Sequence, residues 1–293
     1  VDKKIIKTSK IKIIESTIIE GNSYDMLRLL PSKSVQCVIT SPPYWGLRDY
    51  NISGQIGVNE TLSQYIAILV TIFSEVARVL RDDGVLWLNI GDSYSSGNRT
   101  WRAPDPKCSA REMSKRQKTP EGLKPKDLIG VPWKLAFALQ ESGWYLRSDI
   151  IWHKPNAMPE SVKDRPTRSH EYIFLFSKKD NYYFDSNAIM EEGQKQLRNK
   201  RSVWSIRVGP NIKGHVATFP TSLVEPCVLA GSRPGDFILD PFFGSGTVGL
   251  VCKEQKRKYI GIELNPLYVE LAARRIGIAK KRVLKPTEFT KLS

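Results

Sequence analysis

Apolar positions along the chain switch repeatedly between two spacings. Val35-Gln36-Cys37-Val38-Ile39 and Val85-Leu86-Trp87-Leu88-Asn89-Ile90 are short, nearly continuous apolar runs, the pattern of strands buried on both faces. Between them Tyr65, Ile66, Leu69, Ile72, Phe73, Val76 and Leu80 recur at helical spacing, and Asp82-Asp83-Gly84 is read as the stop. Strand, helix and strand in that order form the unit of a parallel sheet. Upstream, Ser16–Glu20 predicts a strand, Gly21-Asn22 a turn, and Met26, Leu27, Leu29 and Leu30 a helix ending at Pro31. Downstream, a helix is expected over Pro132–Ser142 and strands over Leu146–Trp152 and Tyr172–Phe176. The last third repeats the alternation: helix Ser222–Ala230, strand Phe237–Asp240, a glycine loop, a helix from Thr247, strand Tyr259–Glu263, and a helix from Pro266 to about Ile276. The expected fold is α/β, with a doubly wound, mostly parallel sheet.

Three stretches break this rhythm. Residues 94–126 and 186–214 are polar and basic, and 154–170 is polar. The first holds Arg99, Arg102, Lys107, Arg111, Lys115 and Arg116 among prolines and small residues, with Trp101 nearly its only large apolar group. That composition reads as a long loop. It is a solvated linker on its own and a candidate for ordering by phosphates beside an anionic partner. The formal net charge of +15, from 45 Lys and Arg against 30 Asp and Glu, makes a phosphate-rich partner the natural inference. Hydrophobic residues at 41% supply a substantial core. No apolar run approaches the roughly 20 residues of a membrane helix, so no membrane partner is expected. Val1–Lys7 lacks the apolar segment of a secretory signal. Cys37, Cys108, Cys227 and Cys252 are scattered with no CxxC pair, which argues against zinc or disulfides and fits a reducing cytoplasm.

Two stretches carry candidate chemistry. Thr40-Ser41-Pro42-Pro43-Tyr44-Trp45 ends the second strand. Its prolines cannot donate to a ladder and fix their own φ, so Ser41, Tyr44 and Trp45 sit on a stiff loop at a strand's C-terminal end. Open α/β sheets bind their ligands there. A small hydroxyl, carbonyls with no competing N–H and two aromatic faces suit a flat molecule with an exocyclic amine. A tight turn with its aromatics in the core is the structural alternative. The second stretch, Asp240-Pro241-Phe242-Phe243-Gly244-Ser245-Gly246-Thr247, lies between a strand and a helix, and Glu263 ends the next strand about 20 residues on. That spacing suits a nucleoside whose ribose hydroxyls meet the acid. Gly249 completes a dinucleotide-like glycine spacing, so NAD is an alternative by pattern. Bulky Phe242 and Phe243 and the acid Asp240 at the strand exit weigh instead toward a nucleoside bearing an ammonium group.

In this order the motifs resemble the S-adenosylmethionine-dependent amino-methyltransferases of DNA, in the subgroup whose S/D-P-P-Y motif precedes the cofactor motif. The resemblance spans nearly the whole chain. It also takes in Trp87–Asp92, Val131-Pro132-Trp133, Ser148–Pro155, Arg165-Pro166-Thr167, His170-Glu171-Tyr172, His215–Pro220 and Gly261-Ile262-Glu263. It implies a Rossmann-like methyltransferase sheet with permuted motif order, in a single domain over residues 1–293. The catalytic part would occupy 11–93 and 127–185, recognition insertions 94–126, 154–170 and 186–214, the cofactor part 215–276, and a basic tail 277–293. Ser41, Pro42, Pro43 and Tyr44 would be catalytic. Asp240, Phe242, Gly244, Gly246 and Thr247 would shape the S-adenosyl-L-methionine pocket, Glu263 would hold the ribose, and His215–Pro220, with Thr218 and Phe219, would close over the cofactor. The family often has Gly-Asp where this chain has Gly21-Asn22, so Asn22, or Asp25 in its place, is a further cofactor candidate. Trp45, Arg102, Arg116, Lys154, Arg165 and Arg168 are candidates for contacting double-stranded DNA.

Ser rather than Asp at position 41 favours, by resemblance, the exocyclic N4 of a flipped cytosine over N6 of adenine, which is the alternative. Neither metal nor covalent intermediate is required. A carbon-5 reaction would need an activated cysteine, and Cys227, in the apolar stretch Leu223–Leu229, is read as core packing. The resemblance further implies a prokaryotic cytoplasmic enzyme with a cognate restriction endonuclease as functional partner. A catalytically inactive nucleic-acid-binding protein is the reading from a different class.

Overall fold

The structure, a computed structural model, describes residues 14–50, 52–96, 117–209, 219–278 and 283–284. Its main sheet has nine strands among the described residues: β1 (Thr17–Glu20), β2 (Val35–Thr40), β3 (Leu80–Ile90), β4 (Tyr145–His153), β5 (His170–Ser177), β8 (Val203–Ser205), β9 (Phe237–Asp240), β10 (Lys258–Glu263) and β11 (Val283–Leu284). Two short strands, β6 (Glu191–Glu192) and β7 (Leu197–Arg198), pair only with each other. Across the main sheet the order is β11-β1-β10-β9-β2-β3-β5-β4-β8. All neighbours are parallel except β5, which runs antiparallel to β3 and β4.

Alternation along the central strands gives the sheet two buried faces. Ile19, Val38, Leu86, Leu88, Leu239 and Ile260 point into one core, beside helices α1 (Ser23–Leu29), α2 (Leu62–Val79) and α3 (Val131–Glu141). Ile18, Cys37, Ile39, Trp87, Ile238 and Tyr259 point into the other, beside α4 (Thr221–Gly231), α5 (Thr247–Glu254) and α6 (Pro266–Ile276). Helices on both faces of a largely parallel sheet are the doubly wound arrangement expected from the runs.

Local chemistry sets the element ends. Thr61 caps α2 with a full capping box: its hydroxyl accepts from Gln64 N–H, and the Gln64 side chain accepts from Thr61 N–H. This helix stops at Val79, three residues before the acidic stretch read as its stop, because Leu80 is already extended and opens β3. The 18-residue α2 has the length and apolarity of a membrane span, but Tyr65, Leu69, Ile72, Phe73, Val76 and Val79 bury one face in the core. Two stretches read as polar contribute to the sheet. Within 186–214, β8 adds to β4 and buries Trp204 against Trp87, at 6.2 Å between ring centroids. Within the basic tail, β11 adds to β1.

The topology decides where chemistry can gather. β2, from the first part of the chain, lies beside β9, from the last, with Cys37 opposite Ile238 and Val38 opposite Leu239. Chain order reverses between these neighbours, which opens a crevice beyond their C-terminal ends. The Ser41 loop and the Asp240 loop both leave the sheet there.

Candidate active site

The last residue of β2 ties the two loops together. Thr40 Oγ1 donates to Asp240 Oδ1 at 2.7 Å, and Asp240 Oδ1 also accepts from Phe242 N–H at 3.0 Å. Across the sheet, Ser23 Oγ donates to the Pro241 carbonyl at 2.6 Å. The proline tip is braced from beneath by Tyr65, whose hydroxyl donates to the Pro43 carbonyl at 2.8 Å. Ser41, Pro42, Pro43, Tyr44, Asp240, Phe242, Gly244, Thr247 and Glu263 all line one cleft of about 290 Å³. The segments on which the sequence reading depended therefore share a cavity.

Tyr44 is held by a polar cluster that sequence reasoning did not assign. Its hydroxyl donates to Glu171 Oε2 at 2.7 Å, lies 3.2 Å from Asn89 Oδ1 and lies 3.4 Å from Ser41 Oγ. Asn89 Nδ2 donates to Glu171 Oε2 and to the Tyr172 carbonyl, and Lys154 Nζ pairs with Glu171 Oε1. Burial, and secondarily the Glu171 carboxylate, push the Tyr44 phenol well above its ordinary range, so the hydroxyl keeps its proton. Gly91 makes room for this ring: a Cβ there would stand 2.7 Å from Tyr44 Cε2. The one local signal for Asn89 and Glu171 was a polar residue in, or at the edge of, an otherwise apolar strand.

On the opposite wall the glycine turn and the acid fix each other. Glu263 accepts from Gly244 N–H at 2.7 Å and from Asn265 N–H at 2.8 Å, while burial pushes its carboxyl upward. Burial likewise raises Asp240, to about 7, against the opposing bonds from Thr40 and Phe242 N–H. Tyr50 and Tyr268 add an edge-to-face aromatic pair to the cleft wall, and Arg48 Nη1 is buried there without a hydrogen-bond partner. Two carboxylates, flat apolar walls and an unpaired cationic donor fit S-adenosylmethionine, which carries an ammonium, a carboxylate, ribose hydroxyls and an adenine.

Other candidates are placed differently. Trp45, expected at the DNA surface, is 5% exposed, and its Nε1 donates to the Glu60 carbonyl, because the turn after Tyr44 folds it under the loop. Gly246 does not line the cleft. It takes φ 79° at the start of α5, where a Cβ would meet Ile276 and Ala272 within 3 Å, so it serves helix packing. Asn22 lines the cleft while capping α1 at Tyr24 N–H, whereas Asp25 is exposed and does not line it. Thr247 lines the cleft and accepts from Arg275, and Phe219 lines the cleft. Lys154 faces the cleft and is largely buried. Arg165 pairs with Glu160 and lies over the Tyr94 ring, and Arg168 sits 3.8 Å from Asp92 with 15% side-chain exposure, so both guanidinium groups are engaged within the chain. Arg102, Arg116 and Thr218 lie outside the described residues. Cys227 is buried in α4, and burial pushes its thiol well above the ordinary range, the opposite of an activated nucleophile.

A crevice at a strand-order reversal, with the strand-end acid Glu263 and a glycine turn on one wall and a proline-rich tip on the other, defines a Rossmann-like methyltransferase. A DNA methylase family profile, that of the N6/N4 methyltransferases, matches residues 35–274, and the chain belongs to that family. S-adenosyl-L-methionine is its methyl donor. The chain is 59% identical over 274 residues to the Type II methyltransferase M.Cfr9I of Citrobacter freundii, covering 93% of this chain and 91% of that one. It is 58% identical over 262 residues to M.SmaI of Serratia marcescens, covering 88% and 90%. The PvuII DNA methyltransferase (cytosine-N4-specific) shares the fold with TM-score 0.69 at 21% identity, over 97% of this chain and 92% of that one.

Proposed function

We propose that this DNA methyltransferase acts on the exocyclic N4 of a flipped cytosine in duplex DNA, as the modifying member of a restriction–modification pair. The observation that carries this reading is the neutral Ser41 hydroxyl in the cleft shared with Asp240 and Glu263. The cytosine-N4-specific PvuII fold relative and the Type II relatives support it.

The amine of cytosine is a weak nucleophile because its lone pair is delocalised into the ring. Ser41 Oγ and the Pro42 carbonyl accept its two N–H groups and draw the nitrogen toward tetrahedral geometry. Tyr44, fixed by Glu171, offers its ring for stacking and holds the base in line. Flipping the base out costs a few kcal/mol, offset by stacking and these hydrogen bonds. Asp240 meets the cofactor's ammonium, Glu263 the ribose, and Phe242 the neighbouring apolar surface. When bound, S-adenosylmethionine supplies an electrophilic methyl group. Digestion and mass analysis of DNA incubated with labelled cofactor should give N4-methylcytosine; N6-methyladenine would overturn the reading.

The raised Asp240 carboxyl makes a second prediction. In the free protein this group binds protons that the unfolded chain has already lost. Its contribution to stability is therefore full below the ordinary carboxylate range and is lost as pH rises through about 7. An ammonium seated against it favours the ionised form, so cofactor uptake releases a proton in acid. Affinity for S-adenosylmethionine should rise roughly 10- to 30-fold between about pH 5.5 and about pH 7.5, read by calorimetry, and Asp240→Asn should flatten the profile. An unchanged profile in that variant would remove Asp240 from the ammonium site.

A further inference from the structure

We infer that Lys154 is a specificity-determining residue that donates a hydrogen bond to O2 of the flipped cytosine. The inference rests on the cytosine reading above and extends it to the far edge of the base. A flipped base is read along its Watson–Crick edge. On cytosine that edge runs from the N4 amine, a donor, through N3 to O2, both acceptors. On adenine it runs from the N6 amine through N1 to a C–H, which accepts nothing. Ser41 Oγ and the Pro42 carbonyl answer the amine. Something farther along must donate if cytosine is to be preferred.

Among the described residues, the side chains at this end of the cleft leave one such donor. Pro42 and Pro43 carry no N–H. Tyr44 has one proton, directed to Glu171 at 2.7 Å. Both N–H groups of Asn89 are engaged, with Glu171 and the Tyr172 carbonyl. Trp152 Nε1 donates to the Ile206 carbonyl. The Lys154 ammonium has three protons. One meets Glu171 Oε1, and the group rests 4.3 Å from the centroid of the Trp152 ring. The side chain is 18% exposed and that of Glu171 17%, so the charge is aimed and shielded rather than free in solvent. Among the described residues the other cationic group of the lining, Arg48, lies beside Tyr50, which also faces the Glu263 carboxylate on the cofactor side.

Glu171 thus connects two functions. One oxygen fixes Tyr44, whose hydroxyl lies near Ser41, and the other fixes Lys154. The amine acceptor and the O2 donor are set against each other through a single carboxylate. A site built to hydrogen-bond a polar group rejects an analogue lacking it, because its own buried group is left unpaired.

The test pairs two changes. Lys154→Met keeps the stem and removes the donor; the double variant Lys154→Met, Glu171→Gln also removes the carboxylate charge left unpaired. Each is assayed on duplexes carrying cytosine, or a 2-aminopyridine C-nucleoside, at the target position. That analogue keeps the amine and the adjacent ring nitrogen but lacks O2. Calorimetry with S-adenosylmethionine checks that each variant folds and holds cofactor. The expected result is a loss of about 10- to 100-fold in kcat/KM for Lys154→Met on cytosine, with cofactor affinity unchanged. Removing O2 should cost the intact enzyme a further factor that both variants do not pay, and Lys154→Gln should recover part of the loss. If loss of O2 costs the variants as much as the intact enzyme, the Lys154 assignment fails while the cytosine reading stands. If the intact enzyme yields N6-methyladenine, the cytosine reading fails and the assignment falls with it.

Discussion

Gly261→Ala should lower stability by about 2–3 kcal/mol and weaken S-adenosylmethionine binding by more than about 100-fold. Gly261 lies in the middle of β10, where its backbone is ordinary strand, so the requirement is for space. A Cβ there would stand 2.3 Å from Phe243 Cγ and 2.5 Å from both Cδ atoms. The ring cannot retreat easily. It stacks on Tyr259 at 5.7 Å between centroids, and Gly249 and Gly246 crowd its other edges. Phe243 N–H is bonded to the Ile262 carbonyl, and the next residue's N–H holds Glu263 at 2.7 Å. Pushing the ring therefore moves the turn that aims Glu263, the acid proposed to hold the ribose. Urea denaturation and calorimetry measure the two effects, and adding Phe243→Leu should restore part of both. A folded Gly261→Ala variant with unchanged cofactor affinity would show that the Phe243 ring does not position Glu263.

The fold was legible because the central strands are short, nearly continuous apolar runs whose successive residues face opposite sides. Ile18 and Ile19, or Cys37 and Val38, fall into opposite cores, and only helices on both faces can cover them. The two loops were legible because prolines and glycines act locally, at the chain position where they stand. The hub of the site was not, since Glu171 meets Tyr44 across 127 residues and a polar residue at the edge of an apolar strand does not say what it will meet. Trp45 misled for the same reason: an aromatic beside the proline-rich tip reads as exposed until Glu60 is seen to accept its indole N–H. Gly246 was read by its motif, but its conformation and its neighbours on α6 assign it to packing. The edge strand β8 was hidden by the basic residues around Trp204, whose burial depends on meeting Trp87 across the sheet.

Glu171→Ala should reduce kcat by more than about 100-fold, at the upper end for a removed positioning contact, while leaving S-adenosylmethionine affinity within about twofold. The carboxylate accepts from Tyr44, Asn89 and Lys154 at once. Its loss frees the Tyr44 ring, which is proposed to present a flat face to the base, and strands a largely buried ammonium. Breaking such a buried pair from one side costs about 3 kcal/mol or more in stability. Glu171→Gln retains an acceptor for Tyr44 and should fall between the two in both kcat and melting temperature. The wall proposed to hold the cofactor is anchored separately, through Thr40, Gly244 and Asn265, so binding and chemistry should part company in these variants. A kcat near that of the unaltered enzyme in a folded Glu171→Ala variant would mean that Tyr44 finds its place by contact with the base alone. In that case the buried cluster would serve the fold, and the orientation of the target amine would have to come from Ser41 and Pro42.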